Sequence, residues 1–263
     1  MTIRALTEIR TAASRSSAVV CEIDSFDLAA FCNTAAEFGT SRYAYVVTPN
    51  VDHLLRYCED PCFRALYLSA EYTLLDSRVV ALSMRLLRGM RLIVCPGSDL
   101  TAALLGGVAS PADRVVLIGG SEPQAKELAA RYSLANVQHH NPPMGFIGDA
   151  PATDACLRFI EAQSPFRFCF LAVGSPQQEM IAQRLLVRNR TRGLVLCIGA
   201  GLNFLTGAER RAPRWMQRLA LEWLYRLLRN PRRLAHRYLV RGPRIFGHLV
   251  RGRLVLRPRR RRP

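Results

Sequence analysis

The chain has 263 residues, 49% of them hydrophobic and 22% charged, and a formal net charge of +17. Those proportions exclude a wholly disordered chain and a collagen-like one, and the length suffices for a full core without disulfide staples. The charge is lopsided: residues 205–263 carry 18 arginines against Glu209 and Glu222, a net +16, which leaves +1 for residues 1–204. A nearly neutral body with a cationic end points to an anionic partner, either nucleic acid or a membrane surface.

Taken in chain order, apolar runs predict strands over 19–23, 43–48, 72–75, 92–95, 114–118, 166–173 and 194–198. Helical patterns lie near 27–38, 51–69, 79–88, 99–107, 122–132, 153–163 and 177–188. Such alternation predicts an α/β fold with a mostly parallel sheet and helices on both faces. After Gly207 the pattern changes. Trp215, Leu219, Trp223 and Leu227 recur every four residues, flanked by Arg214, Arg218, Arg226 and Arg229. That spacing predicts one basic amphipathic helix ending near Pro231, then a second over about 232–241. The reading divides the chain into an α/β domain (1–207), a helical appendage (208–250) and an arginine-rich disordered tail (251–263).

The eight cysteines include no C-x-x-C, and Cys58 and Cys62, four apart, have no histidine beside them, so no zinc site is expected. Most sit in apolar runs as small core residues. With no leader-like start and no run of about 18 apolar residues, the expected location is cytoplasmic, with reduced thiols.

In a parallel sheet, ligands bind beyond the carboxyl ends of the strands. Six strand ends run into small or polar turns: Thr48-Pro49-Asn50, Asp76-Ser77-Arg78, Pro96-Gly97-Ser98-Asp99, Gly119-Gly120-Ser121, Gly174-Ser175-Pro176 and Gly199-Ala200-Gly201. Together they predict a polar cleft whose glycines and helix starts suit phosphate. The G-x-G-x-x-G fingerprint and the Walker A loop are both absent, which argues against a nicotinamide enzyme and a P-loop enzyme. No D-x-D occurs, so nothing indicates a metal-clamped diphosphate, and a diphosphate leaving group needs arginine or helix dipoles. Read by itself, Asp76 is either a general base at a strand end or the N-cap of the helix that follows.

The segments TPNVDHLLRY, GSDL, LIGG, AVGSPQQE, IGAGLNFLTG and above all RAPRWMQRLALEWLYRLLRNPRRLAHRYL resemble the WecG/TagA/CpsF glycosyltransferases, glycosyltransferase family 26, over about residues 43–245. The resemblance implies a Rossmann-like core with a basic appendage that docks on the inner face of the cell membrane. It implies transfer of a sugar from a UDP-sugar, with inversion and without metal or other cofactor, to a sugar on polyprenyl diphosphate. The family's catalytic aspartate falls on Asp76. Its donor-site positions fall on Thr48, Asn50, Gly119, Gly120, Gln178 and Asn203. Where the family carries a diphosphate-binding arginine this chain has Val94, and Arg78, Arg91, Arg211 and Arg226 are the candidates to replace it. Trp215, Leu219, Trp223, Arg218 and Arg229 are the expected membrane-docking residues. The donor sugar stays open among N-acetylmannosamine, its uronic acid and glucose, and a homo-oligomer is possible on sequence. Two other readings stand beside this one: a catalytically weak homologue acting as a membrane scaffold, and a nucleic-acid binder, although no RNA or DNA motif is found.

Overall fold

The computed structural model describes residues 18–259. Six strands form one parallel sheet: β2 (Tyr43–Val47), β3 (Tyr72–Thr73), β4 (Val115–Ile118), β5 (Val137–His140), β6 (Phe168–Leu171) and β7 (Gly193–Cys197). Their order is β3-β2-β7-β6-β4-β5. Alternate residues of each strand enter two separate cores. Val47, Ile118, Leu171 and Cys197 join one, and Val46, Leu117, Phe170 and Leu196 join the other. This alternation into two cores is why the central strands read as unbroken apolar runs. Helices cover both faces: α1 (Leu28–Phe38), α2 (Val51–Glu59), α3 (Pro61–Leu68), α4 (Arg78–Arg88), α5 (Gly97–Gly107), α6 (Glu122–Arg131), α7 (Ala150–Ala162) and α8 (Gln177–Arg188).

Three expectations change. The predicted strand 92–95 is an extended segment outside the ladder, joined to β3's extension by the Cys95 amide donating to the Leu75 carbonyl (2.8 Å). Pro96 ends it before further pairing is possible. Strand β5 (VQHH) was not expected, because its histidines mask the run; it occupies the sheet edge, where one side is half-exposed.

The third change concerns the tail. Residues 254–259 are not disordered but form β8 (Leu254–Arg259), parallel to β1 (Val19–Asp24). Leu254 and Leu256 are buried, while Arg257 faces outward, so the segment alternates like any half-buried strand. Pro258 is tolerated because this is a two-stranded ribbon with free edges. Arg259 then completes the pairing. Its Nε and Nη2 donate to the two oxygens of fully buried Asp24 (2.7 and 2.8 Å), and Asp24 also accepts the Thr73 amide (2.8 Å). A buried carboxylate needs such a partner, and this pair ties the C-terminal ribbon to β3. Residues 260–263 of the expected tail lie outside the described residues.

The appendage is more broken than its four-residue repeat implies. After α9 (Gly201–Leu205) closes the body, it contains α10 (Arg214–Arg218), α11 (Glu222–Arg229), α12 (Pro231–Ala235), a π-helical turn (His236–Arg241) and α13 (Arg244–Val250). The stripe is split at Ala220, which takes a positive φ of 59°. The break leaves Trp215 and Leu219 exposed, at 60% and 61%, and turns Leu227 into the interior.

Candidate active site

Two cavities of about 310 and 380 Å³ lie over the carboxyl ends of β2, β3, β6 and β7. The smaller one is polar. Its floor is Thr48, Gly97, Gly174, Gln178 and Gly199, all from the rim turns. The larger one runs between the rim and the appendage, with walls that include Val51, Val79, Trp223, Leu239 and Phe246. Asn50, Asp52, Asp76, Ser98, Phe204, Arg226 and Arg237 line both, so the two spaces share a wall.

Asp76 stands on that wall. The cap of α4 is Ser77, whose Oγ accepts the Val80 amide (3.2 Å), so the Asp76 carboxylate is not spent on capping. Its Oδ1 instead accepts the Gly97 amide (3.0 Å) at the start of α5. Gly97 fits there because a Cβ would stand 2.8 Å from the Thr48 hydroxyl. Burial pushes the Asp76 carboxyl up to about 6; the Gly97 hydrogen bond opposes the rise, Glu222 adds to it, and Arg226 and Arg211 counter it. A carboxylate with its affinity for protons raised in this way, and with one oxygen still unbound by the backbone, is equipped to act as a base near neutral pH.

Gln178 is held at both ends of its amide. Its Oε1 accepts the Gly199 amide (2.8 Å) and its Nε2 donates to Glu179 Oε1 (3.0 Å). Glu179 is fully buried, so it fixes which end of the amide is which. Asn50 caps α2, accepting the amides of Asp52 (3.0 Å) and His53 (3.2 Å). His53 also lines the smaller cavity, and burial holds its imidazole below the usual range.

The appendage brings in the cations. Arg211 pairs with Asp99 and stands 4.0 Å from Glu222. Arg226 lies 3.9 Å from Glu209 and 5.4 Å over the Phe204 ring. Arg78 reaches the larger cavity and stands 3.9 Å from Glu222. Arg237, which sequence reasoning missed, lines both cavities, 3.8 Å from Asp52. It is one of several arginines in a basic run, and only the fold shows that it points inward.

Four of the residues anticipated from sequence stand elsewhere. Arg91 is exposed and lines neither cavity. Gly119 and Gly120 also line neither; a Cβ on Gly120 would stand 2.3 Å from Leu202 Cδ2, so this turn is a packing site. Asn203 accepts from Gln124 Nε2 (3.1 Å), joining α9 to α6 outside the cavities. The physical reason is strand order. Two strands separate β4 from β2, roughly 14 Å at the usual spacing, so the β4 turn is remote from Asp76. Trp223, expected on a lipid-facing side, lines the larger cavity and meets Tyr238 edge-on at 6.3 Å.

A model of the glycosyl transferase WecG/TagA/CpsF family matches residues 17–259. The chain belongs to this family. It is a glycosyltransferase of the kind used in cell-surface polysaccharide biosynthesis. The match takes in the residues of β1 and β8 as well as the appendage. No helix among the described residues is long and apolar enough to cross a membrane.

Proposed function

We propose that this WecG/TagA/CpsF protein is an inverting glycosyltransferase that moves a sugar from a UDP-sugar to a sugar carried on polyprenyl diphosphate. The donor takes the smaller polar cavity, and the acceptor enters through the larger one. Asp76 takes the proton of the acceptor hydroxyl as that oxygen bonds to the anomeric carbon. The bond from that carbon to the UDP oxygen breaks on the opposite side, and UDP leaves with the electron pair. Arg226 and Arg237, which line both cavities, offset the charge that grows on the diphosphate. The carrying observation is the place of Asp76: its carboxylate stands on the wall between the two spaces.

Exposed Trp215 and Leu219, with exposed Arg218 between them in the chain and exposed Arg229 on the next helix, are suited to an anionic lipid surface at the inner face of the cell membrane. The test is a panel of UDP-sugars, spanning N-acetylmannosamine, its uronic acid and glucose, assayed with a polyprenyl-diphosphate sugar. Release of UDP and a lengthened glycan only when both substrates are present is the expected result. UDP release that ignores the acceptor, or no transfer with any donor, contradicts the reading.

A further inference from the structure

The larger cavity does not end at the appendage. Val79 at the first turn of α4 and Phe246 on α13 both line it. Helical spacing places Leu82 and Leu86 on the Val79 side of α4, and Val250 on the Phe246 side of α13. Exposure climbs outward along both: Leu82 46% then Leu86 76%, and Phe246 40% then Val250 60%. The two helices pack together. Val80 and Met84 share a core with Ile245 and Leu249, and Arg88 Nη2 donates to the Leu249 carbonyl (3.3 Å). They run in the same direction, since their first turns meet at the cavity and their last turns at that hydrogen bond. Each of these packed helices therefore carries an apolar stripe outward from the cavity, and α4 carries its own for about 10 Å from Val79 to Leu86.

We infer that the stripes of α4 and α13 form a binding track for the hydrocarbon chain of the acceptor's carrier lipid, leading from the Asp76 wall to the surface of the protein. The charge layout selects this occupant. At the inner end stand Arg78 and Arg211, which line the larger cavity alone and suit the carrier's own diphosphate. Outward along the stripes stand Leu82, Leu86, Phe246 and Val250, with exposed Arg85 beside the α4 stripe, and the stripes themselves suit an apolar chain. A free sugar nucleotide has no part that fits there, whereas an amphiphile with an anionic head and a hydrocarbon tail fits both ends. The inference rests on the proposed acceptor class and adds that the body helix α4, not the appendage alone, recognises the lipid.

The experiment compares acceptors with the same sugar-diphosphate head on a short or a long isoprenoid chain, both in one fixed detergent, with the full chain. The wild type is expected to prefer the long chain in kcat/KM by about tenfold or more, the scale of burying a few methylenes. In Leu82→Glu/Leu86→Glu the ratio is expected to fall towards one, while Val187→Glu, an equally exposed site on α8, keeps the wild-type ratio. All of these sites are exposed, so the fold tolerates the charges. A wild type without chain preference overturns the track, as does a double variant that keeps it. A double variant that binds vesicles less well but keeps its chain preference also overturns it, and makes α4 a bilayer contact instead. Transfer to the short-chain acceptor reports the proposed reaction separately, so its presence with a failed ratio sinks the track alone.

Discussion

The body and the appendage bring different groups to the same two cavities. The rim of the sheet holds the Asp76 carboxylate, the Gln178 amide and glycine turns, with Asp76 and Gln178 both tied to backbone amides, in a body of almost no net charge. The appendage is assembled from short helices around Pro213, Ala220, Pro231 and Pro243, and brings Arg211, Arg226 and Arg237 to the same space. On the proposed mechanism, the contrast teaches that the base comes from the body while most of the charge facing the diphosphate comes from the appendage.

The largest expected effect breaks the body's half. Asp76→Asn should lower transfer by about 10²–10⁴-fold, the usual worth of a general base. The same variant should be more stable than the wild type, by about 1–3 kcal/mol at pH 7. The sign follows from the raised carboxyl: above about 6 the folded protein carries a buried charge at a cost, and below the ordinary carboxylate range the residue is protonated whether folded or not. Melting curves at pH 8 and pH 4 should show the gain at the first and its disappearance at the second.

Next comes the appendage's half. Arg226→Ala should cut kcat about 10²–10³-fold, with a smaller change in donor KM, because the charge it offsets grows in the transition state. Full turnover in Arg226→Ala and in Arg237→Ala would mean that the body site is complete without the appendage. The junction between the halves is tested by Arg259→Met, which removes the two guanidinium hydrogen bonds to buried Asp24; denaturant melts should show a loss of stability, at most the roughly 3–5 kcal/mol of breaking a buried pair. The smallest effect sharpens the rim: Glu179→Gln replaces an acceptor-only carboxylate with an amide that can also donate, so the Gln178 amide is no longer held in one orientation, and donor KM should rise about threefold to tenfold with little change in melting temperature.

Much of this division is written in the residues. The apolar runs of β2, β4, β6 and β7 and the turns that follow them are legible because a parallel sheet buries both strand faces. Five of the six rim turns do reach the cavities; the β4 turn does not, because strand order depends on crossovers that no local pattern records. The four-residue stripe from Trp215 to Leu227 looks like one helix. Its break at Ala220 has no glycine or proline to announce it, and only packing shows Trp223 turned towards the site. Arg259 reads as one more tail arginine until β1 supplies the buried Asp24. Which arginines matter was the least legible feature, since a basic run conceals the two or three that face inward.

The central claim is that Asp76 takes the acceptor's proton, and the pH dependence of kcat/KM tests it most directly. In the wild type, transfer should rise with pH through a midpoint near 6 as the carboxylate ionises, and Asp76→Asn should retain only a low, pH-flat residue over that range. A rise through the same midpoint in Asp76→Asn, or wild-type turnover in that variant, would contradict the account.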